Sequence, residues 1–536
     1  MGTASAPPVR FRWGRRELRA PAGTPLAAAV TEGTPPILQR SIRYHRPRAP
    51  FCGTGACTNC LVRVNGVPNV RACRYAPANG DRIESENAWP SPRLDVLGAI
   101  DRLFPSGLDA VHGFRRPAFA RPLYQWFVRR LAAFGSLPGP APAPALPPAR
   151  TLDAGWVIVG AGPAGLGAAR TLVQRGQSPV LLDRQPSPPA VDGAVVVGRT
   201  TAGFLPPPRA GRRRRFDLLA SGEDGTPVRI AADGVILATG AYDAGLWFAN
   251  GDRPGVLTAE GAITLEGPGG APPFRRGILF GSGPRAASMI ARWGERLEAL
   301  VAPGAIAPEV VRTASEHGVP MYPRSLLVRA LGGRRVRGVE LRGRGGGPTT
   351  RLEADAVVLA HRRLPNAQML FQVGASMRWS ARPGAYFPDQ IEGATSVPGL
   401  LVAGEVAGSM DAVAAASDGA RVAERALADA PWPTEFPPGP PEPPAELEGY
   451  YRELLGAARV PGRWVACACE DVLLSEILEA EHRGYRGIEV IKRYTGLGTG
   501  LCQGRYCVPE ALLVLAQAEG RPPSEVGYIT QRPPVH

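Results

Sequence analysis

The stretch WVIVGAGPAGLGAARTLVQRGQSPVLLDRQ, residues 156–185, decides the fold. An apolar strand leads into a glycine-rich turn, an alanine-rich helix and a second strand that ends in an acid. Gly160 permits a tight turn, Gly162 lets the backbone approach a pyrophosphate, and Gly165 lets the helix pack on the strand. Asp183 stands where a carboxylate can accept ribose hydroxyls. The stretch therefore predicts a βαβ dinucleotide-binding unit.

Two later segments extend this unit and favour FAD over NAD. GVILATGAYD (residues 234–243) resembles the strand and turn that close the nucleotide domain of two-dinucleotide flavoproteins. VPGLLVAGEVAG (residues 397–408) resembles their final flavin-contacting strand, with Glu405 where Asp is usual. With the helix N-terminus as the phosphate site, the residues expected to bind FAD are Gly160, Gly162, Pro163, Ala164, Gly165, Asp183, Arg184, Thr239, Gly240, Gly404 and Glu405.

A second glycine turn, ILFGSGPRAA, contains Gly281, Gly283 and Ala286 and resembles the NAD-type domain inserted in such flavoproteins. The strand that should deliver a ribose-binding acid reads LEALVAPGA and ends without Asp or Glu. We interpret the segment as an NAD-type domain that is folded but vestigial. A working NAD(P) site is the alternative.

The first four of the eight cysteines have the spacing of a plant-type ferredoxin. FCGTGACTNC and a later VRAC place Cys52, Cys57, Cys60 and Cys73 at separations of four, two and twelve residues. Intervening glycines allow positive φ and let amide N–H groups point at cluster sulfurs. Zinc, which usually takes two separated pairs of ligands, and free structural thiols are the alternatives. The pattern predicts a 2Fe-2S cluster.

The other four cysteines form two close pairs near the end of the chain, Cys467 and Cys469, and Cys502 and Cys507. Each pair precedes a predicted helix, whose N-terminal N–H groups favour an anionic thiolate-iron centre. This set predicts a second 2Fe-2S cluster. Structural zinc fits the same pattern and stays open, whereas disulfides are disfavoured in a chain without secretion features.

Two proline-rich passages divide the chain, at residues 137–150 and 433–446. An alternating hairpin pattern opens the first block, a strand-turn-helix alternation fills the middle, and apolar spacing predicts helices in the last block. The fold class is α/β, a two-dinucleotide-binding (Rossmann-like) core with an N-terminal ferredoxin-like β-grasp domain and a small helical C-terminal domain. The predicted boundaries are 1–95 (ferredoxin-like), 96–150 (connecting segment), 151–272 and 366–432 (FAD domain), 273–365 (NAD-type insertion), 433–446 (linker) and 447–536 (helical iron-sulfur domain).

The net charge of +15 does not by itself indicate nucleic-acid binding. There is no basic helix with interleaved aromatics and no zinc-finger or helix-turn-helix spacing in the sequence, so an acidic protein partner is favoured. No apolar run reaches the ~18 residues of a membrane span, and the first residues lack the layout of a secretion signal. We expect a soluble, cytoplasmic protein.

With these residues placed, the chain resembles a fusion of the small ferredoxin-like and FAD subunits of hydrogen cyanide synthase and opine (octopine, nopaline) oxidases. It is also similar to the alpha subunit of heterotetrameric sarcosine oxidase. RSIRYHRPRAPFCGTGACTNC, NAWPSPRLDVLGAIDRLFP and IKRYTGLGTGLCQGRYC carry the likeness, and the C-terminal cysteines resemble those of bacterioferritin-associated ferredoxin. The segment after Asp183 departs from the family, because it is short and lacks a Gly-Gly-Gln stretch.

This resemblance implies an electron-transfer alpha subunit that works with a separate flavoprotein amine or amino-acid oxidase-like beta subunit. The partner oxidises the C–N bond, and some relatives carry FMN at the subunit boundary. Among the six histidines no general base for that chemistry stands out. His45 in RYHRPR is the most suggestive and is interpreted as a structural or interface residue, so no catalytic residue is assigned. A self-contained NAD(P)H-dependent oxidoreductase and a scaffold without flavin are the alternatives.

Overall fold

The computed structural model describes residues 7–103, 119, 122, 148–185, 187–198, 200–205, 215–221, 226–267, 270–409, 411–438, 446–456 and 462–532. Most of the predicted connecting segment, most of the first proline-rich linker, half of the second and most of the arginine run before Phe216 lie outside these residues. The chain divides into two compact units. The first contains residues up to 122, 243–362 and 446–529; the second contains 148–242, 363–438 and 530–532.

The N-terminal segment folds into a five-stranded sheet. Its elements are β1 (Val9–Trp13), β2 (Arg16–Ala20), α1 (Leu26–Ala29), β3 (Gln39–Arg40), β4 (Pro47–Arg48), β5 (Leu61–Val64), β6 (Val67–Arg71), β7 (Arg82–Ser85), a 3₁₀ turn (Val96–Ala99) and α2 (Ile100–Leu103). The sheet order is β2-β1-β7-β5-β6, with β1 parallel to β7. The predicted hairpin is confirmed, since β1 and β2 pair antiparallel around Gly14 at φ 57°.

The second unit begins with the predicted βαβ turn. Its first elements are β8 (Arg150–Val159), α3 (Pro163–Gln174), β9 (Val180–Leu182), β10 (Val195–Val197), β11 (Ala202–Phe204), β12 (Phe216–Ser221), β13 (Pro227–Leu237) and β14 (Ala241–Asp243). Strands β10, β9, β8 and β13 run parallel in that order, and β12 pairs antiparallel with β13. The apolar C-terminal parts of β8 and β13 lie in the cores on the two faces of the sheet, as parallel strands require.

The inserted segment has a parallel sheet of its own. Its elements are β15 (Val256–Thr258), α4 (Ala259–Thr264), β16 (Gly277–Phe280), α5 (Pro284–Trp293), a 3₁₀ turn (Gly294–Arg296), β17 (Leu297–Val301), α6 (Pro308–Glu316), β18 (Met321–Tyr322), β19 (Ser325–Leu331), β20 (Gly338–Gly343), β21 (Thr349–Glu353) and β22 (Ala356–Leu359). The order β15-β22-β16-β17-β18 is parallel throughout, and β19, β20 and β21 form an antiparallel sheet.

The chain then returns to the second unit. The elements are β23 (Arg363–Pro365), α7 (Gln368–Gln372), β24 (Met377–Ser380), β25 (Ala385–Pro388), β26 (Gln390–Ile391), β27 (Ala394–Thr395), β28 (Leu400–Val402), a 3₁₀ turn (Gly404–Ala407) and α8 (Ala412–Leu427). Strand β28 pairs parallel with β13 and completes a nine-stranded sheet. The carboxyl ends of β8, β13 and β28 therefore meet at one edge, where doubly wound sheets bind ligands.

The C-terminal segment is mainly helical, as predicted. It contains α9 (Glu446–Gly456), β29 (Val465–Cys467), β30 (Val472–Leu473), α10 (Leu474–His482), α11 (Ile488–Thr495), α12 (Val508–Glu519) and α13 (Pro523–Val526). Among the described residues no helix is both long and apolar enough to span a bilayer.

One boundary of the first unit differs from the predicted domains. The first unit resumes at residue 243, whereas the sequence predicts that the inserted domain begins at residue 273. Apolar side chains of the N-terminal sheet, including Phe11 and Ile83, lie in one core with Leu257, Ala259 and Trp293 of the inserted segment. The shared core explains why residues 243–272 fold with the first unit.

Candidate functional site

All four N-terminal cysteines are buried in the loop between β4 and β5 and in the turn after β6; each is 3% exposed or less. Cys52 Sγ accepts hydrogen bonds from the Cys57 amide at 3.4 Å and from Thr54 Oγ1 at 3.5 Å. The Cys73 thiol also forms hydrogen bonds with the Cys52 and Cys60 thiols. The structure thus brings together all four predicted ligands.

The glycines of this loop are required by their positions. Gly53 and Gly55 have φ of +68° and +77°, which L side chains rarely adopt. A Cβ on Gly53 would also lie 2.8 Å from the carbonyl oxygen of Glu260, because the loop rests on α4. The loop is therefore held with its amides turned inward.

One thiol in this set, that of Cys52, has a lowered pKa. Burial would raise the pKa of Cys52, but hydrogen bonds from Cys57, Cys73 and Thr54 hold it well below its ordinary value. The hydrogen bond to Cys52 raises the pKa of Cys57 well above the usual thiol range, and burial is the second cause. A thiolate stabilised by amide and hydroxyl donors is the form that binds iron or zinc.

The C-terminal set also converges. Cys467 ends β29, Cys469 follows in the turn, and Cys507 caps the N-terminus of α12. The sulfurs of Cys469 and Cys502 are 3.4 Å apart. Hydrogen bonds from Cys467 and Cys502 lower the pKa of Cys469 well below its ordinary value despite burial. A cavity of about 60 Å³ is lined by all four cysteines of this set.

The expected helix N-termini are present at one of the two pairs. Helix α12 begins directly after Cys507, with Pro509 in its first turn, as predicted. After Cys469, however, β30 intervenes before α10 starts at Leu474, because Val472 pairs with Cys467 in a short antiparallel ladder. Glu476 also caps the first turn of α10 by accepting from Leu473 N.

Among the described residues no group of three or more His, Cys, Asp or Glu side chains has the spacing of a site for a single metal ion. The sulfurs approach one another in pairs, at the distances of hydrogen-bonded thiols. The two sets are therefore identified by convergence, burial and donor chemistry.

The segment RYHRPR, just before the first set, forms a buried ion network across the first unit. The Arg48 guanidinium lies 2.7 Å from Asp252 and also contacts Asp471, with all three side chains at most 3% exposed. Arg46 binds both oxygens of Asp252 at 2.7 Å. His45 Nδ1 lies 2.8 Å from Asp95 Oδ2, which supports its structural interpretation.

In the second unit, the glycine turn after β8 has the geometry of a dinucleotide site. A Cβ on Gly165 would clash with Gly160, which itself has φ of 110°, so helix and strand pack closely. At Gly162 an added Cβ would meet nothing within 4 Å, which leaves room for a pyrophosphate. Pro163 opens α3, and the described residues supply no side-chain cap to its N–H groups.

Asp183 is tied to this turn. Its Oδ2 accepts from Ala161 N at 2.6 Å and its Oδ1 from Gln185 N at 2.7 Å. Each oxygen keeps a further lone pair for a ribose hydroxyl. The predicted Arg184 beside it is exposed.

The other end of the candidate site includes residues that the sequence did not reveal. Thr239 and Asn366 exchange two hydrogen bonds of 2.9 and 2.8 Å, which fix the turn after β13 next to Gly240. Gly404 N donates to Asp418 at 2.7 Å, and Glu405 pairs with Arg363 at 2.8 Å and accepts from Ala241 N. No local pattern marks Arg363, Asn366 or Asp418 as part of this site, because the site residues that they contact lie 42, 127 and 14 positions away.

The inserted domain keeps a nucleotide-type turn without the acid. An added Cβ at Gly283 meets nothing within 4 Å, as at the first turn. Strand β17 ends at Val301, and the next residue, Ala302, bonds to Tyr322 O. In the first turn of α5, Arg285 pairs with Asp243 at 3.0 Å.

Comparison with protein families locates two of these features. Residues 6–88 match the model of a 2Fe-2S iron-sulfur cluster binding domain, which contains the first cysteine set. Residues 462–536 match the sarcosine oxidase A3 domain, which contains the second set and whose description names no cluster.

The sequence is also similar to individual proteins along much of its length. The alpha subunit of sarcosine oxidase from Rhizobium meliloti is 28% identical over 98% of this chain and 56% of its own length. An opine oxidase subunit from the same organism is 27% identical over 71% of the chain and 96% of its own length. The chain is homologous to both proteins. It spans about half the length of the sarcosine oxidase subunit.

A solved structure, L-proline dehydrogenase from P. horikoshii, shares the fold with a TM-score of 0.66 and 20% identity, covering 100% of this chain and 96% of that one. The homologous subunits confirm the resemblance to sarcosine and opine oxidases, and the family match confirms a 2Fe-2S domain at the N-terminal end. The homologues are named oxidases, and the chain shares its fold with a protein named as a dehydrogenase.

Proposed function

We propose that this chain is the electron-transfer subunit of a multisubunit oxidoreductase that acts on CH–NH donors. It accepts electrons from a partner flavoprotein that oxidises an amine or amino acid of the sarcosine, opine, glycine or proline kind. The observation that carries the proposal is the presence of two buried four-cysteine sets in one unit and a dinucleotide turn in the other.

FAD fits the second unit. The open space at Gly162 and the uncapped start of α3 suit its pyrophosphate, and Asp183 suits its ribose. Glu405 is held by Arg363 and by Ala241 N, so it borders the turn after β13 as the flavin-contacting strand requires. Bound here, FAD exchanges electrons in pairs, whereas a 2Fe-2S centre takes one at a time.

A 2Fe-2S cluster fits the second cysteine set better than zinc does. Four thiolates around a single zinc ion form a closed tetrahedron with bonds of about 2.3 Å. The four cysteines here line a cavity and lack a single-ion spacing among the described residues. The chain holds this set with the ladder of β29 and β30 and with the N-terminus of α12.

Substrate oxidation belongs to the partner in this proposal. His45, the most suggestive histidine, is bound to Asp95 and 3% exposed, so it is not placed to abstract a substrate proton. The homologues are themselves named as subunits, which supports a hetero-oligomer. FMN at the boundary between subunits is part of the proposal, without assigned residues.

The deciding experiment counts iron, sulfide, zinc and flavin in anaerobically purified chain. Two clusters give about four iron and four sulfide per chain, together with one FAD. Two iron with one zinc would restrict the proposal to a single cluster, and iron without flavin would favour a scaffold.

A second measurement tests the partner. Chain co-expressed with the reading frames that adjoin its gene should reduce a dye with sarcosine, an opine or proline, and the isolated chain should not. Rapid flavin bleaching by NADH or NADPH without a partner would favour the self-contained alternative, for which the open Gly283 turn is the one favourable observation.

A further inference from the structure

Residues next to each cysteine set contact residues of the other set. Thr58 follows Cys57 directly, yet its backbone N–H and its hydroxyl lie close enough to Cys469 Sγ of the C-terminal set to lower the pKa of that thiol. Thr58 is 6% exposed, and its carbonyl oxygen accepts from Gln39 Nε2. A residue adjacent to a ligand of one set therefore lies beside a ligand of the other.

A second contact runs in the opposite direction. Tyr506 precedes Cys507 directly, and its hydroxyl lies close to Thr54, whose own hydroxyl donates to Cys52 Sγ. Its ring meets Phe51 edge-on, with centroids 5.3 Å apart and an interplanar angle of 86°. Phe51 and Tyr506 both pack against the cluster of Cys52, Ala56 and Cys57.

The space between the sets is closed by the same residues. The cavity that contains all four C-terminal cysteines is also lined by Cys57, Phe51 and Tyr506. Both sets belong to the first unit. Their separation is thus fixed within one folded body.

We propose that Thr58 and Tyr506 form a junction that carries single electrons between the two cysteine sets, and that Thr58 also tunes the reduction potential of the C-terminal one. The inference rests on the proposed function, since it requires a cluster in each set. One electron is lost at one set as one is gained at the other, and no proton or bond is transferred.

The tuning follows from the donor chemistry at Cys469. A hydrogen bond to a ligand sulfur stabilises the more negative, reduced state and raises the potential. Because the donor hydroxyl belongs to the N-terminal loop, removing it should lower the potential of the C-terminal centre alone. A merely structural threonine would affect neither potential selectively.

The test uses the full chain with both centres reconstituted, in the variants T58V and Y506L. Thr499→Val is the matched control, because that hydroxyl bonds to Gly496 within its own exposed turn. Potentials are measured by EPR-monitored redox titration, and magnetic interaction is read from the spectrum of the fully reduced protein. Freeze-quench experiments give the rate at which one electron equilibrates between the two centres.

We expect magnetic interaction between two reduced centres in the unmodified chain. T58V should shift the one-electron equilibrium of the C-terminal centre about tenfold toward the oxidised form, equivalent to 59 mV, with the N-terminal centre unchanged. Y506L should slow equilibration at least tenfold with both centres intact, and T499V should change nothing.

Failure of the junction and of the proposed function can be told apart by the iron count. Four iron per chain without magnetic interaction, or T58V potentials equal to those of T499V, would overturn the junction and leave the two-cluster proposal standing. Two iron per chain would overturn the junction and restrict the proposed function to a single cluster.

Discussion

Arg48 provides the sharpest prediction about stability. Its side chain is 2% exposed and lies between two buried carboxylates, Asp252 at 2.7 Å and Asp471. Arg48→Met keeps the apolar stem but leaves Asp471 with only part of its pairing, from the amides of Arg43 and Tyr44. Breaking a buried ion pair from one side costs about 3–5 kcal/mol.

That cost should appear as a lower melting temperature. At roughly 2–4 °C per kcal/mol for a domain of about 150–250 residues, the loss corresponds to about 6–20 °C. The measurement is thermal unfolding followed by circular dichroism, with urea midpoints as a second probe. Arg483→Met is the control, because its pair with Glu479 is about half exposed and contributes less than about 1 kcal/mol.

A double-mutant cycle identifies the cause. Adding Asp471→Asn to Arg48→Met removes the unpaired charge, so the double variant should be more stable than the sum of the single losses by about 1–3 kcal/mol. The reasoning is refuted if Arg48→Met melts within 2 °C of Arg483→Met (about 1 kcal/mol), or if the two losses simply add.

Three further predictions follow from the site. Cys60→Ser and Cys502→Ser should each remove about half of the iron while sparing flavin, as measured by metal analysis and absorbance; loss of all iron from either variant would contradict two independent sets. Gly162→Ala should fold normally but lose FAD, because its Cβ meets nothing in the protein, and a normal flavin content after purification would contradict this site. Burial would raise the pKa of Asp252, but Arg46 and Arg48 hold it well below its usual range, so its stabilisation is present above about pH 4 and is lost as the pH falls further. Arg48→Met should therefore show a shallower acid-induced fall in melting temperature between about pH 5 and pH 3 than the unmodified chain, and an equal slope would count against the pairing.

Features governed by local chemistry could be predicted from the sequence. Residues 156–185 form the βαβ turn because glycine spacing, strand length and helix start all act within thirty positions. The hairpin of residues 9–20 follows from alternation around Gly14 for the same reason. The convergence of both cysteine sets also matches the spacing argument.

Features that depend on distant partners could not be predicted this way. Asp252 and Asp471 meet Arg48 across 204 and 423 positions, so nothing near Arg48 indicates its neighbours. The ladder of β29 and β30 was missed because each strand has only two or three residues and is stabilised by pairing rather than propensity. The joining of residues 243–272 to the N-terminal sheet depends on a shared core, which a linear pattern does not show.

The ion network and the junction have different roles because their partners differ. Arg48 lies four residues before Cys52, and Asp471 lies two residues after Cys469. Their contact therefore holds the start of the N-terminal cysteine loop against the turn that follows Cys469. Buried ion pairs add little net stability over apolar residues of the same shape, and their documented use is to specify one arrangement. We interpret the network as setting the register of the two loops, while Thr58 acts on the sulfur itself. A defect in the network should therefore loosen both sets together, whereas a defect at Thr58 should alter one set while both stay in place.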